Sequence, residues 1–411
     1  MSPSPAPRTG SRAPRGDGGW PALGSEEREW VSTIDPGRLT VYERIRLDRP
    51  YRAAIVPEIA DVRVDLDPEV LTLAQDAATE MTRFDAEVAH LPLPMPAVLL
   101  RSESASSSQI EQLTSSARNI ALAELGVGDK ENARLVVANA RAMMTALADG
   151  DEVTPTGLLA IHRELMVAEP DHAGRWREEQ VWIGASDVSP HGADFVAPHH
   201  DHVPRLVEDL AAFAARVDVP ALVHAALVHA QFETIHPFVD GNGRTGRVLL
   251  HTVLRRAGVV ARATVPVSAG LLRDTGSYFR ALTTYREGEP HAVVEQVALA
   301  ALAAVRNGRE LASDVEGIRE RWRSTVRARR DAAAWRLLDA LFARPVVDVA
   351  LAATLTGTSG RAALTAVDTL VEAGVLTPVS GARWGRAWQA TDVLAATDAF
   401  ARRAGRRRAG R

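Results

Sequence analysis

The residues best suited to chemistry form one short run: His236, Pro237, Phe238, Val239, Asp240, Gly241, Asn242, Gly243, Arg244, Thr245, Gly246 and Arg247. His236 is the one group of this run whose ordinary pKa lies near neutrality, which makes it the natural general base. Asp240 offers one carboxylate, enough for Mg2+, which completes its shell with phosphate oxygens and water. Gly241 and Gly243 permit backbone conformations closed to other residues. A glycine-rich loop that opens a helix presents unpaired N–H groups and the positive end of the helix dipole, and both favour anions. Arg244 and Arg247 lie three apart and share a face of the first turn. Two fixed guanidiniums beside such a nest suit a di- or triphosphate.

The flanking segments must hold these groups in place. Residues 220–234 read as a helix with apolar positions Leu222, Ala225, Ala226, Val228, Ala230 and Phe232. His224 and His229 on it read as packed or hydrogen-bonded residues. Pro237 cannot continue the helix, so His236 stands where it ends. From Arg244 a second apolar run begins, with Val248, Leu249, Leu250, Val253 and Leu254. The pattern is helix, glycine-rich loop, helix.

The full chain has 411 residues, which suggests two or three domains. Residues 1–24 read as a disordered tail, and 25–64 are poorly periodic, with an Asp-Pro-Gly turn at 35–37. A helix starts at Asp67-Pro68 and runs to about 88. Pro92, Pro94 and Pro96 close that region. The serine cluster at 104–108 reads as a helix start, and Ser108 and Glu111 have capping-box spacing. Helices follow at 130–148 and 156–168. Two short apolar arms around Gly184, Pro190 and Gly192 predict a β-hairpin over 181–198. Helices resume at 203–217, 221–234, 243–256, 276–287 and from 290 to 341.

The last part reads differently. Helices at 331–342, 347–356 and 359–373, then a hairpin through 375–378 and 386–391 around Ser380 and Gly381, suggest a winged helix. Thr358, Ser359 and Arg361, with Arg383 and Arg386 near the wing, could meet DNA phosphates. Such modules also bind proteins or dimerise. Residues 401–411 form an arginine-rich tail.

Composition narrows the chemistry. There is no cysteine, which excludes thiolate zinc sites, disulfides and a cysteine nucleophile. Lys130 is the single lysine, so the chain has no Gly-Lys-Ser/Thr step and no P-loop. Phosphate chemistry here relies on arginine and backbone amides. The net charge of −4 supplies no overall basic field for nucleic acid, although residues 326–411 carry 14 arginines against 7 acidic residues. No apolar run is long enough to span a bilayer, and the first residues lack the apolar core of a signal peptide. A cytoplasmic location is expected. His191, His199 and His200 lack metal-ligand spacing on a defined element and read as solvated loop histidines.

The central run matches the motif His-x-Phe-x-Asp/Glu-Gly-Asn-Gly-Arg-x-x-Arg of the Fic family at every specified position. The chain resembles that family over roughly 50–310. The resemblance implies a mainly α fold, with a helical region at 25–130 and a Fic core at 131–310 with a hairpin flap; the winged helix at 331–400 rests on the element pattern alone. It implies AMP transfer from ATP to a Ser, Thr or Tyr hydroxyl of a target protein. His236 would deprotonate that hydroxyl, and Asp240 would hold Mg2+. Gly241, Asn242, Gly243 and Arg244 would cradle the α- and β-phosphates, with Thr245 and Gly246 continuing the nucleotide-facing turn. Arg247 would hold the γ-phosphate, and Phe238 would anchor the loop. Tyr278 or Phe279 would stack near the nucleoside, and the hairpin over 181–198 would dock the target.

Residues 107–112, Ser-Ser-Gln-Ile-Glu-Gln, resemble the inhibitory helix of Fic proteins, with Gln112 where Gly or Asn is usual. The resemblance implies that Glu111 pairs with Arg247 and keeps it from the γ-phosphate. Expected partners are the target protein, DNA or protein on the C-terminal module, and a second copy of the chain, with no membrane. The same site could use another nucleotide donor, phosphorylate or remove AMP. A nucleotide-sensing DNA binder is the alternative outside enzymes.

Overall fold

The computed structural model describes residues 19–30, 40, 41, 49–148, 152–184, 189–379 and 386–405. The expected turn at 35–37, most of the N-terminal tail, Ser380, Gly381 and Arg383 of the wing, and residues 406–411 lie outside the described residues. The fold is mainly α. Among the described residues no helix is long and apolar enough to cross a membrane.

A short antiparallel pair, β1 (Gly24–Arg28) and β2 (Tyr51–Ile55), comes first, with Gly24 opposite Ile55. The polar strand Gly-Ser-Glu-Glu-Arg carries no apolar alternation, and its partner is remote in sequence. For that reason the pairing is absent from the sequence expectations. The tail also ends earlier than expected. Trp20 packs edge-on against Phe213 at 6.1 Å and tilted against Tyr285 at 5.7 Å, and the Leu23 amide donates to the Arg286 carbonyl.

Then come α1 (Pro68–Ala89), α2 (Met95–Ile110), α3 (Ala117–Glu124), α4 (Glu131–Ala148) and α5 (Pro155–Leu165). The serine cluster ends α2 rather than starting a helix. Proline suits the first helical turn, so Pro94 and Pro96 open this helix instead of closing the one before. Ser102, Ser104, Ser106, Ser107 and Ser108 are buried because their small side chains let α4 approach closely. Asn139 of α4 donates to the Ser104 carbonyl and to the Ser108 hydroxyl. Glu111 is therefore a C-cap, not an N-terminal capping glutamate.

The flap strands β3 (Trp182–Ile183) and β4 (Phe195–Val196) pair antiparallel, Trp182 opposite Val196. The core then runs α6 (Val203–Ala214), α7 (Ala221–Ile235), α8 (Asn242–Arg256), α9 (Val267–Leu271), α10 (Thr275–Arg286) and α11 (His291–Thr325). Every residue of α7 from Leu222 to Ile235 is buried. A helix buried on all sides belongs at the centre, and α6, α8, α10 and α11 surround it. The stretch expected as helix from 290 to 341 breaks after Thr325, and α12 (Ala333–Ala340) starts afresh.

The C-terminal elements are α12, β5 (Val346–Asp348), α13 (Val349–Thr356), α14 (Gly360–Glu372), β6 (Thr377–Pro378) and β7 (Ala387–Gln389), with the strands in the order β5-β7-β6. Asp348 and Ser359 cap α13 and α14 through their side chains, and Gly357 turns between them at φ 65°. A last helix, α15 (Thr391–Ala404), returns to pack on α11, α2 and α3.

Candidate active site

Helix α7 ends at His236, whose backbone is left-handed at φ 51°. Its carbonyl accepts from Arg177 Nε at 2.8 Å. Arg177 is 3% exposed and also donates to the carbonyls of Glu179 and Pro198, while its amide donates to Pro237 O. One buried arginine thus ties the end of α7 to both arms of the flap.

Phe238 inserts into the core. It stacks on His162 at 3.6 Å with the planes 4° apart, and lies 5.1 Å from Trp176. Asn242 closes the loop with its own side chain: Oδ1 accepts from the Phe238 amide and Nδ2 donates to the Phe238 carbonyl. His162 Nδ1 accepts from the Gly174 amide, so Nε2 carries the proton and donates to Asp240 O at 3.0 Å. Burial pushes His162 down to about 4, so it stays neutral in this role.

Gly241, at φ 77°, precedes the first turn of α8. A Cβ at Gly243 would collide with Oε1 of Glu111. That carboxylate lies against the amide nest, where an anion belongs. Arg244 donates to Asp240 Oδ2 at 3.1 Å, but its Nε and Nη1 are buried with no acceptor.

Arg247 is 2% exposed and fully engaged by α2. Its Nε donates to Ser107 Oγ at 2.9 Å, and Nη2 donates to Ser107 O at 2.9 Å and to Glu111 Oε1 at 2.7 Å. Burial works against its charge, but Glu111, Tyr278 and Glu233 outweigh it and raise the pKa.

The Fic/DOC family pattern matches residues 152–254. This chain carries a Fic domain. It is 36% identical across 108 residues to the protein adenylyltransferase Fic of Drosophila willistoni, covering 26% of this chain and 20% of that protein. It is 34% identical across 125 residues to the protein adenylyltransferase Fic of Nematostella vectensis, covering 28% of this chain and 26% of that protein. The match thus spans about a fifth to a quarter of these curated relatives. A Fic family protein from Desulfovibrio desulfuricans G20 shares the fold at a TM-score of 0.51 and 23% identity, over 80% of this chain and 97% of that one.

Within the Fic domain, His236 is held far below its ordinary pKa, at about 3, by burial and then by Arg286 and Arg177. Its Nδ1 lies 3.3 Å from the Glu233 carbonyl. Glu233 itself is buried with Oε1 unpartnered, and burial raises its pKa to about 7.

Of the two aromatics named for the nucleoside, one is enclosed. Tyr278 is 1% exposed and its hydroxyl meets His229 Nε2 at 2.8 Å, so it has no face to offer an adenine. Its apolar ring and polar tip are both spent in the core. Phe279, 51% exposed, is the aromatic left at the surface. Arg177, His162 and Glu233 escaped sequence reasoning. Arg177 sits in the run Arg-Trp-Arg-Glu-Glu, which looks like any solvated charged stretch.

Proposed function

We propose that the chain is a protein adenylyltransferase, moving AMP from ATP to a Ser, Thr or Tyr hydroxyl of a target protein, with Glu111 as its restraint. The observation that carries this reading is the anion cradle opening α8. Arg244 has buried donors without an acceptor, and a carboxylate oxygen of Glu111 lies over Gly243, standing in for a phosphate oxygen. The names of the relatives agree with this activity.

In this reading Gly241, Asn242, Gly243 and Arg244 hold the α- and β-phosphates, and Thr245 and Gly246 continue the turn. Arg247 takes the γ-phosphate once Glu111 withdraws. The exposed Asp240 carboxylate fits Mg2+, whose charge would neutralise the phosphates. His236 donates from Nδ1 to the Glu233 carbonyl, which leaves Nε2 to take the proton of the acceptor hydroxyl. The acceptor oxygen bonds to the α-phosphorus, the bond to the bridging oxygen breaks, and pyrophosphate leaves. The target peptide lies along the β3–β4 edge as an added strand, and Phe279 faces the nucleoside.

His236→Ala should abolish transfer while ATP affinity and thermal stability are kept. Transfer retained by that variant would refute the mechanism. We read the elements from α12 to β7 as a winged helix, with α14 as the helix that contacts DNA or protein. A salt-dependent gel shift that Arg361→Ala weakens supports DNA, and a shift indifferent to salt speaks against it.

A further inference from the structure

The fold gathers histidines that the sequence leaves as solvated loop residues. After β4 the chain passes Pro198 into a tight 3-10 turn, His200–His202, that feeds α6. His199 Nδ1 lies 3.1 Å from one carboxylate oxygen of Asp201, and His200 Nε2 lies 3.6 Å from the other. The two imidazoles stand 4.0 Å apart. One ligand atom from each of the three residues lies within 4.8 Å of the others, and among the described residues no other such group occurs.

A tetrahedral site with ligand bonds of about 2.0–2.1 Å has edges of about 3.3 Å. Each imidazole nitrogen stands from one Asp201 oxygen at a distance within about 0.3 Å of that edge, the two running to different oxygens of the carboxylate. We propose that His199, His200 and Asp201 form a binding site for a divalent cation of the zinc or nickel class, with water completing the shell.

The donor set selects the ion. Two imidazoles and one carboxylate favour a borderline metal, whereas Mg2+ prefers oxygen alone. This site is therefore chemically distinct from the carboxylate of Asp240, and it does not depend on the adenylyltransferase reading. The surrounding charges permit it. Strand β1 brings Glu26 and Arg28, but these pair with each other at 2.9 Å, and His202 meets Glu26 at 3.1 Å. Glu26 is thus shared by Arg28 and His202, and the Asp201 carboxylate faces His199 and His200.

The position gives the site a consequence. Pro198, whose carbonyl Arg177 holds, directly precedes His199. A cation here stiffens the exit of β4 and, through Arg177, the carbonyl of His236.

The test is calorimetric titration of the full chain, stripped by chelator, with zinc chloride and then nickel chloride. His199→Ala, His200→Ala and a His191→Ala control are measured alongside, with Gln at either position if Ala disturbs folding. The expected result is about one equivalent with a dissociation constant on the order of micromolar, weakened about tenfold or more by either ligand variant and unchanged by the control. X-ray absorption of the zinc form should show two imidazoles. Absence of binding at about 100-fold higher zinc, or binding that survives both ligand variants, would overturn the site.

Discussion

Glu111 and Arg247 lie 136 residues apart in sequence and meet at 2.7 Å, with the carboxylate of the first resting on the nest that the second helps to build. The contact closes a circuit. Ser107 holds two nitrogens of the same guanidinium, and buried Glu103, two turns nearer the N-terminal end of α2 than Ile110, accepts from the Ser268 amide. Helix α2 is thereby fixed on both sides near its C-terminal end.

The residue after Glu111 shows how that end is built. The Leu113 amide donates to the Ser108 carbonyl and the Gln112 amide to the Gln109 carbonyl, the Schellman pattern. That pattern places Gln112 in the left-handed region, at φ 62°. A glycine there avoids the Cβ penalty, which is why Gly or Asn suits this position. Gln112→Gly should stabilise the protein by about 0.5–1 kcal/mol without releasing activity, as read by urea denaturation and transfer assays.

Arg177 makes a prediction that separates binding from chemistry. Arg177→Met, placed in a Glu111→Gly background, removes the brace on His236 without touching the phosphate cradle. Transfer should fall about 10²-fold while ATP affinity holds, because misplacement of a base by about 1 Å has that effect. A proportional loss of ATP affinity in calorimetry would instead point to a cradle that depends on Arg177.

Buried histidines set the acid limit of the fold. His162, His229 and His236 are depressed to about 4, 3 and 3, chiefly by burial. Between these values and the ordinary 6.5 the unfolded chain binds protons that the folded chain does not, so stability falls as pH falls. Glu233, raised to about 7 by burial, works the other way: the folded chain holds its proton between its ordinary 4.5 and 7. For these four groups the balance grows from roughly one proton at pH 6.5 to roughly two near pH 5, so the loss steepens from about 1 to about 3 kcal/mol per pH unit on acidification. Denaturant titrations at pH 6.5, 5.5 and 4.5 should show that slope, and a flat profile would contradict the buried neutral rings.

The C-terminal elements reach the helix that carries Glu111 through α3. Asp398 of α15 accepts from the Ala117 amide at 2.9 Å, Arg118 donates to Gln389 of β7 at 2.9 Å, and Arg101 of α2 forks onto Glu124 of α3 at 3.0 Å. Asp398→Ala removes an acceptor at the start of α3 and should cost about 1 kcal/mol. Loosening the support of α2 should also raise basal labelling, to a level between wild type and Glu111→Gly. Labelling equal to wild type would show that α2 holds Glu111 unaided.

Much of this was legible in the residues, for identifiable reasons. The catalytic loop could be read because Pro237, Gly241 and Gly243 dictate backbone shape locally. Helices α7 and α8 could be read because apolar residues recur through them at helical spacing. Strand β1 could not, since its polar residues become a strand only by pairing with residues 51–55. The direction of α2 was misread because a serine cluster suits a helix start in isolation, whereas here tight packing against α4 favours small side chains. Tyr278 was misplaced because an aromatic pair near a nucleotide site looks the same whether it stacks on a base or fills a core. Arg177 left no local trace, as its acceptors come from three separate segments.

The central claim is that Glu111 withholds Arg247 from ATP in an adenylyltransferase. Its most direct test is incubation of wild type, Glu111→Gly and Glu111→Gly/His236→Ala with Mg2+ and ATP labelled at the α-phosphate, followed by counting label on protein. A charged hydrogen bond of about 1.5–3 kcal/mol predicts a gain of roughly 10–100-fold for Glu111→Gly, abolished when His236 is also replaced. If Glu111→Gly bound ATP but gained no label, or if the double variant labelled as well as the single, the account would be contradicted.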